Sequence, residues 1–382
     1  MSGGFRSLFL MRTKYSFPLR AFFAFCALYL VCAEKADATA NNSNELKEQL
    51  NIAYALINVK PMQTIEILEE LRTQIETSDG PTKVRAYTMG IWAAQYISSI
   101  SHVKRYRNLL VAMANSEAFS ENKAAILSAL VAQYWRTQQY NLAKQFGICA
   151  LKNADSEARV VSIGITMSIV LRAMRRVDES VDISNFALAL AEKLNNQRYM
   201  ASIYNNTGVL ELERENYQSA VNSFETALNI RHQIADLAGQ VGAGTNMLLG
   251  YFFLEDWDRF ERLSTRVERL QQLQNSSIML AYYNWLKTAF LSKDWQSMNE
   301  EQIQQLRDHF IAVNDPGIQR FLLQIAEKQD WDMPAVKQHD IAEQSELDIR
   351  AHFPMCDWNA IEQLPHEDIM VEFTRAKERL VD

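Results

Sequence analysis

The amino-acid sequence predicts an all-α fold built from repeated pairs of helices. Glycine and proline, which most often interrupt helices, number only 12 and 7 among 382 residues. Residues 201–234 show two amphipathic helical patterns separated by a turn near Glu215 and Asn216. Similar patterns recur on both sides of this segment, which favours a stack of helix pairs. An unrelated helical bundle is the alternative interpretation.

The first 38 residues have the three parts of a secretory signal peptide. A basic lead is followed by a 13-residue apolar run over 21–33 and by a small, polar segment. We expect cleavage after Ala38, within Ala36-Asp37-Ala38, or as second choice after Ala33. An uncleaved membrane anchor is the alternative, but a spanning helix needs about 20 apolar residues.

Removal of residues 1–38 leaves an acidic chain. The remaining residues include 34 basic and 44 acidic side chains, a net charge of −10. Such a chain is a poor candidate for binding nucleic acid or anionic membrane surfaces. We therefore expect an exported protein, periplasmic in a bacterium or otherwise secreted, without stable membrane insertion after cleavage.

Two cysteines, Cys149 and Cys356, lie outside the predicted signal peptide. In an oxidising compartment they can form a disulfide. A single cysteine on a helix is more often a small buried apolar residue, so the sequence leaves both states open.

The pattern of large and small residues in 201–234 resembles a tetratricopeptide repeat. Small residues at Gly208 and Ala220 let two helices approach closely, and larger ones fill the space beside them. The residues that carry the resemblance are Tyr204, Gly208, Tyr217, Ala220, Phe224, Ala227 and Leu228.

Further units in the same frame are predicted at 45–78, 124–157, 161–194, 241–274 and 279–312, whereas 82–116 fits the frame poorly. From residue 124 onward the units start 37 to 40 residues apart, which is longer than the usual repeat of about 34. This spacing is similar to kinesin-light-chain-like and Rap-like arrays. The resemblance implies a right-handed superhelix over 39–330 with a concave groove.

The repeat pattern fades after residue 330. Pro334 suits the first turn of a helix, and 335–350 and 366–381 have helical patterns. We expect residues 331–382 to form a helical cap over the open end of the stack.

Residues of the first helix in each repeat are expected to line the groove. The same amide occurs at the sixth position of three consecutive repeats, in Asn206, Asn246 and Asn284. In related arrays this position faces the groove and bonds the backbone of an extended peptide, which an amide suits because it both donates and accepts. Capping or bridging of helices is the alternative role. Other expected groove residues are Trp135, Arg136, Arg172, Glu213, Phe253 and Lys287.

We find no specific catalytic motif, and we expect neither enzymatic activity nor a cofactor. The six histidines are scattered, and Gly239, Gly242 and Gly244 do not have the dinucleotide-binding order. We expected these glycines to loosen a turn between repeats. The mixed chemistry of the groove residues favours a protein or peptide partner. A sensor domain that regulates a membrane kinase or diguanylate cyclase in trans is the alternative.

Overall fold

The computed structural model describes residues 44–380, except 58, 98, 115, 117–118, 275–276, 293–297, 314, 337–345 and 366–367. The predicted signal peptide and Ala38 lie outside these residues. The chain divides into two units, Met1–Gln49 and Leu50–Asp382. Of the first unit the structure describes residues 44–49, which are helical. Helix α1 (44–56) begins in the first unit, and all contacts described below lie within the second unit.

Helices joined by short turns form the whole of the described part, and no strand occurs in it. In chain order the helices are α1 (44–56), α2 (Pro61–Glu70), α3 (Arg72–Thr77), α4 (Gly80–Tyr96), α5 (Ile100–Met113), α6 (Phe119–Arg136), α7 (Tyr140–Lys152), α8 (Glu157–Ala173), α9 (Val177–Lys193), α10 (Gln197–Glu213), α11 (Tyr217–Gln233), α12 (Leu237–Phe253), α13 (Trp257–Gln274), α14 (Ser277–Leu291), α15 (Glu300–Val313), α16 (Pro316–Lys328), α17 (Glu346–Ala351), α18 (Trp358–Glu362) and α19 (Ile369–Glu378).

The helices from α4 to α15 pack as consecutive pairs, each first helix contacting its own second helix and the next first helix. We call α4, α6, α8, α10, α12 and α14 the first helices. The prediction of an all-α repeat stack is confirmed. The segment 82–116, which fits the sequence frame poorly, forms the regular pair α4 and α5.

A three-residue turn sets the period of the central repeats. Helices α8 to α13 begin at residues 157, 177, 197, 217, 237 and 257, so each helix and its turn take 20 residues. The middle turn residue has a positive φ of 48° to 64°, although none is glycine; these residues are Arg175, Asn195, Glu215, Ala235 and Glu255. In each turn, the residue after the one with positive φ donates its backbone N–H to the carbonyl of the residue five positions before it. Asp236, for example, donates to Arg231 at 2.9 Å.

The residue after the left-handed position often caps the next helix. Asn196 accepts from the N–H of Tyr199 at 3.1 Å, and Asp236 accepts from that of Gly239 at 3.0 Å. The three glycines that we assigned to a loosened turn instead lie inside α12, because the helix begins at Leu237. The turn itself is tight and contains no glycine.

Packing between the helices of one repeat depends on matched small and large residues. Phe224 of α11 is fully buried, and its ring occupies the space beside Gly208 of α10. A Cβ atom at Gly208 would lie only 2.5 Å from that ring. Ala220 and Ala227 are also fully buried. The structure therefore uses the small residues as the sequence pattern predicts.

The C-terminal helices pack against the middle of the stack. Helix α18 contacts α7, and α19 contacts α7, α8 and α9. The rings of Phe353 and Trp358 lie 5.6 and 5.0 Å from that of Phe146. Phe373 packs on Phe186 at 5.8 Å and beside Gly164. The expected cap over the open end is replaced by this docking, because aromatic side chains fit the apolar surface of α7 to α9.

A disulfide joins Cys149 of α7 to Cys356, which precedes α18, with a Cα–Cα distance of 5.6 Å. Both cysteines are buried. Near the end of the described chain, Arg379 donates a hydrogen bond to the backbone carbonyl of Leu151 at 2.8 Å. The pairing that the sequence left open thus links segments 207 residues apart. Of the two predicted C-terminal helices, most of 335–350 lies outside the described residues, and the second corresponds to α19.

Two glycine substitutions test the packing of the stack. We expect Gly208→Ala to destabilise the fold by about 1–3 kcal/mol, because the new methyl group overlaps the Phe224 ring. The same change at Gly242 should stabilise it by up to about 1 kcal/mol, since alanine favours a helix and no atom lies within 4 Å of the new Cβ. Urea unfolding measures both values. Equal effects at the two sites would contradict this packing.

Candidate functional site

The first helices are linked by side-chain hydrogen bonds that join residues about one repeat apart. Arg136 of α6 donates to the Tyr96 hydroxyl of α4 at 3.0 Å, and its guanidinium lies 4.6 Å from the centre of that ring. On the same helices, the Gln95 amide donates to the backbone carbonyl of Gln133 at 3.2 Å. Trp135 is half-buried, with its ring 5.2 Å from the Arg136 guanidinium.

The next link is an ion pair between α8 and α10. Arg172 Nη1 lies 2.5 Å from Glu213 Oε1, and the two side chains are only 13% and 15% exposed. Both were predicted to face a partner. They instead neutralise each other across consecutive repeats, because the 40-residue period places them on adjoining helix faces.

The amide side chains of α10 and α12 form a third link. Asn246 Nδ2 donates to Asn205 Oδ1 at 3.1 Å. The Asn205 Nδ2 donor and the Asn246 Oδ1 acceptor are not used by this bond. Neither makes another side-chain hydrogen bond within the described residues. Reversing both amides leaves the same pair of functions, one donor and one acceptor.

Two members of the predicted asparagine row have unused side chains. Asn206 and Asn284 are half-buried, and neither side chain has a hydrogen bond among the residues that the structure describes. The structure therefore brings Asn246 together with the neighbouring Asn205, and it leaves the amides of Asn206 and Asn284 without a partner in the described chain.

Lys287 is paired with a residue of a second helix. Its ammonium lies 2.7 Å from Glu268 of α13 and 5.7 Å from the centre of the Tyr283 ring. The hydrogen bond to Glu268 raises the pKa of Lys287 above its ordinary value. Its charge is already paired with a residue of a second helix, and its place in the groove stays a prediction.

Phe253 lies at the end of α12, where an aromatic cleft opens to solvent. Its ring stacks on that of Tyr217 with centres 4.8 Å apart and planes 9° from parallel. With Phe252, Trp257 and Trp331 it lines a small concavity that is open to solvent. The lining also includes the buried Ala289 and Ile325 and the exposed Lys328.

The sequence pattern missed several of these residues for identifiable reasons. Asn205 is the neighbour of the predicted Asn206 in sequence. It contacts Asn246, which lies 41 residues later, one more than the 40-residue period. Tyr96 lies in the repeat with the poor frame. Trp331 follows the last helix of the stack, outside any repeat position.

Within the described residues, no group of three or more histidine, cysteine, aspartate or glutamate side chains is arranged to hold a metal ion. In that part of the chain no helix is both long and apolar enough to cross a membrane.

The paired helices and their contacts define a helical repeat protein. Residues 163–233, which cover nearly all of α8 to α11, match the family model of the tetratricopeptide repeat. This match includes residues 201–233, the segment in which the sequence resemblance was strongest.

Solved structures with the same fold include a Rap protein complexed with competence and sporulation factor. It is 14% identical, with a TM-score of 0.51 over 89% of this chain and 99% of that chain. Aspartyl phosphate phosphatase F from Bacillus subtilis is 13% identical, with a TM-score of 0.54 over 84% and 95% of the two chains. At these identities the likeness concerns the fold alone. A search of curated proteins finds no significant match.

The buried ion pair should couple the repeats more strongly than an exposed one. In a double-mutant cycle we expect Arg172→Ala and Glu213→Ala to show a coupling above about 1 kcal/mol, because both charges are largely shielded from water. The cycle for Arg214 and Asp178, which pair at 2.8 Å but are 32% and 96% exposed, should give at most about 0.5 kcal/mol. Urea unfolding of the single and double variants measures both couplings. A larger value for the exposed pair would contradict the argument.

Proposed function

We propose that this protein is an exported tetratricopeptide-repeat binding protein that holds a peptide, or an extended segment of a partner protein, along its first helices. The observation that carries the proposal is the set of unused amide groups on α10, α12 and α14. The Asn205–Asn246 pair offers one donor and one acceptor, and Asn206 and Asn284 add complete amides on either side.

An extended peptide matches the chemistry and the spacing of these amides. Each peptide unit has one N–H donor and one carbonyl acceptor, as an asparagine side chain does. Packed helices lie about 10 Å apart, and an extended chain rises about 3.3 Å per residue, so successive helices meet every third peptide residue. Amides repeated on three helices therefore favour recognition of a backbone over some six to eight residues.

The fold comparison supports a binding role. A Rap protein of the same fold is complexed with competence and sporulation factor. Because the identity is 14%, the ligand itself is not transferred to this chain. The shared feature is the stack of helix pairs, and such stacks present extended binding surfaces.

Two features support export. The basic lead and the 13-residue apolar run over 21–33 have the order of a signal peptide. The disulfide between Cys149 and Cys356 is typical of an oxidising compartment such as the periplasm or the extracellular space. The two features are independent, since one depends on the leader sequence and the other on contacts between α7 and the C-terminal segment.

The asparagine row is tested with peptides of nine or more residues selected from a random library on the mature protein. We expect Asn206→Ala/Asn246→Ala/Asn284→Ala to weaken their binding by about tenfold or more, because each lost hydrogen bond contributes about 0.5–1.5 kcal/mol. Fluorescence anisotropy of labelled peptides measures the affinity.

The matched control is Asn185→Ala/Asn222→Ala, which removes exposed amides from the second helices α9 and α11. Its peptide affinity should equal that of the unmodified protein. Equal affinity of the triple variant and this control would remove the asparagine row from the proposed site.

Export is tested by expressing the full chain with its leader in a Gram-negative host and fractionating the cells. We expect the periplasmic protein to begin at Thr39, with Cys149 and Cys356 resistant to alkylation until a reductant is added. N-terminal sequencing and intact mass before and after reduction measure both features. A chain that retains Met1 or Met11 would contradict cleavage, and free thiols in the periplasmic protein would contradict the disulfide.

A further inference from the structure

The aromatic cleft at the ends of α12, α14 and α16 has rigid walls. Phe252 and Trp257 pack edge to face with ring centres 5.2 Å apart, and Trp331 lies 6.2 Å from the buried Trp285. Phe253 is fixed by its stacking on Tyr217. Because these rings are held by their neighbours, an entering side chain meets a preformed apolar surface and orders few groups.

Small and buried side chains leave room between these walls. Ala289 contributes only a methyl group and is fully buried, whereas Phe253, Trp257 and Trp331 remain partly exposed. Fully buried rings of the same cluster, such as Phe260, are already enclosed by the core. The partly exposed rings of the cleft therefore offer an apolar surface to one side chain of a partner, which is how partners are commonly anchored.

A cation lies over one wall of the cleft. The Lys328 ammonium is 5.7 Å from the centre of the Phe253 ring, and it has no ion pair within the described residues. Lys287 of the same region differs, since Glu268 neutralises it. The acid of the cleft, Glu255, lies on the exposed turn after α12. Both charged residues are exposed, but only Lys328 lies over an aromatic wall of the cleft, where its ammonium is available to a carboxylate.

We infer that the aromatic cleft binds a large apolar side chain of a peptide in which an acidic residue stands next to it, with the carboxylate at Lys328. The inference rests on the proposed peptide-binding function and specifies which side chains are recognised. Phe253 belongs both to the predicted groove residues and to the cleft, so a chain bound along the first helices passes the cleft.

Short probes separate the two parts of this recognition. The reference probe is acetyl-aspartyl-4-fluorophenylalanine amide, whose binding to the full mature protein is followed by fluorine NMR. In competition against it, replacing phenylalanine by alanine should weaken binding by about tenfold or more, because a buried aromatic ring is lost. Replacing aspartate by asparagine should weaken it about threefold, as expected for one solvent-exposed charge pair.

The variant Lys328→Met should bind the aspartyl and asparaginyl probes equally while keeping the preference for phenylalanine over alanine. Lys152→Met, an exposed lysine change on α7, is the matched control and should keep both preferences. Equal affinity for the phenylalanine and alanine probes would overturn the inference. Tighter binding of a lysyl-phenylalanine probe would also overturn it and assign the recognised charge to Glu255.

The same probes distinguish this inference from the proposed function. The triple asparagine variant should keep the dipeptide affinities and lose only the longer peptides. If the longer peptides depend on the asparagines but the dipeptides do not bind, the cleft inference fails alone. If the dipeptides bind with the expected preferences but the asparagine changes leave longer peptides unaffected, the proposed asparagine row fails alone.

Discussion

The three-residue turn between helices is the constraint on which the other contacts depend. An α-helix turns about 100° per residue, so one residue more or less in a repeat would rotate every later side chain by that angle relative to the earlier ones. Because each helix and its turn take 20 residues, the first helices α8, α10 and α12 begin 40 residues apart, and equivalent positions face the same direction on each of them. Arg172 then meets Glu213, and Asn205 meets Asn246, each 41 residues on.

The turn keeps this length without glycine because other bonds hold its strained residue. A left-handed conformation costs a non-glycine residue about 1–2 kcal/mol. At Ala235 the next N–H is bonded back to Arg231, and Asp236 both caps α12 and pairs with the Arg231 guanidinium at 2.8 Å. The period is thus set by several local bonds together, and a single favourable residue type is not required.

Because several local bonds hold each turn, the packing positions could be predicted from residue type, but the turn length could not. Gly208, Ala220 and Phe224 are recognisable in sequence because packing demands specific sizes at specific positions. The turn near Glu215 and Asn216 followed from the helical pattern on both sides of it, but the turns share no common residue type, so their equal length emerged only from backbone geometry. The three glycines assigned to a turn lie inside α12 for the same reason.

Contacts between segments distant in sequence were the least predictable part of the site. The docking of Phe353, Trp358 and Phe373 on α7 to α9 depends on a surface formed by three helices together. The link between Arg172 and Glu213 required both the exact period and the facing direction of each helix. Residue type alone identified these side chains as polar groups on first helices, but it did not show that they satisfy each other.

The contacts also divide the first helices into two chemically different parts. From α4 to α10 two cross-helix pairs join polar side chains of the first helices, Tyr96 with Arg136 and Arg172 with Glu213. Beside them, the C-terminal segment covers part of α7 to α9 and is held by a disulfide. From α10 onward, amide groups remain unused and an aromatic cleft stays open.

A group that is already bonded gains little from a partner, since a new bond must replace an existing one. An unused amide or a preformed apolar cleft has no such cost beyond the displacement of water. The proposed recognition therefore draws on the groups between α10 and α16. The Tyr96–Arg136 and Arg172–Glu213 pairs instead join neighbouring first helices, and the disulfide holds the C-terminal segment on the stack.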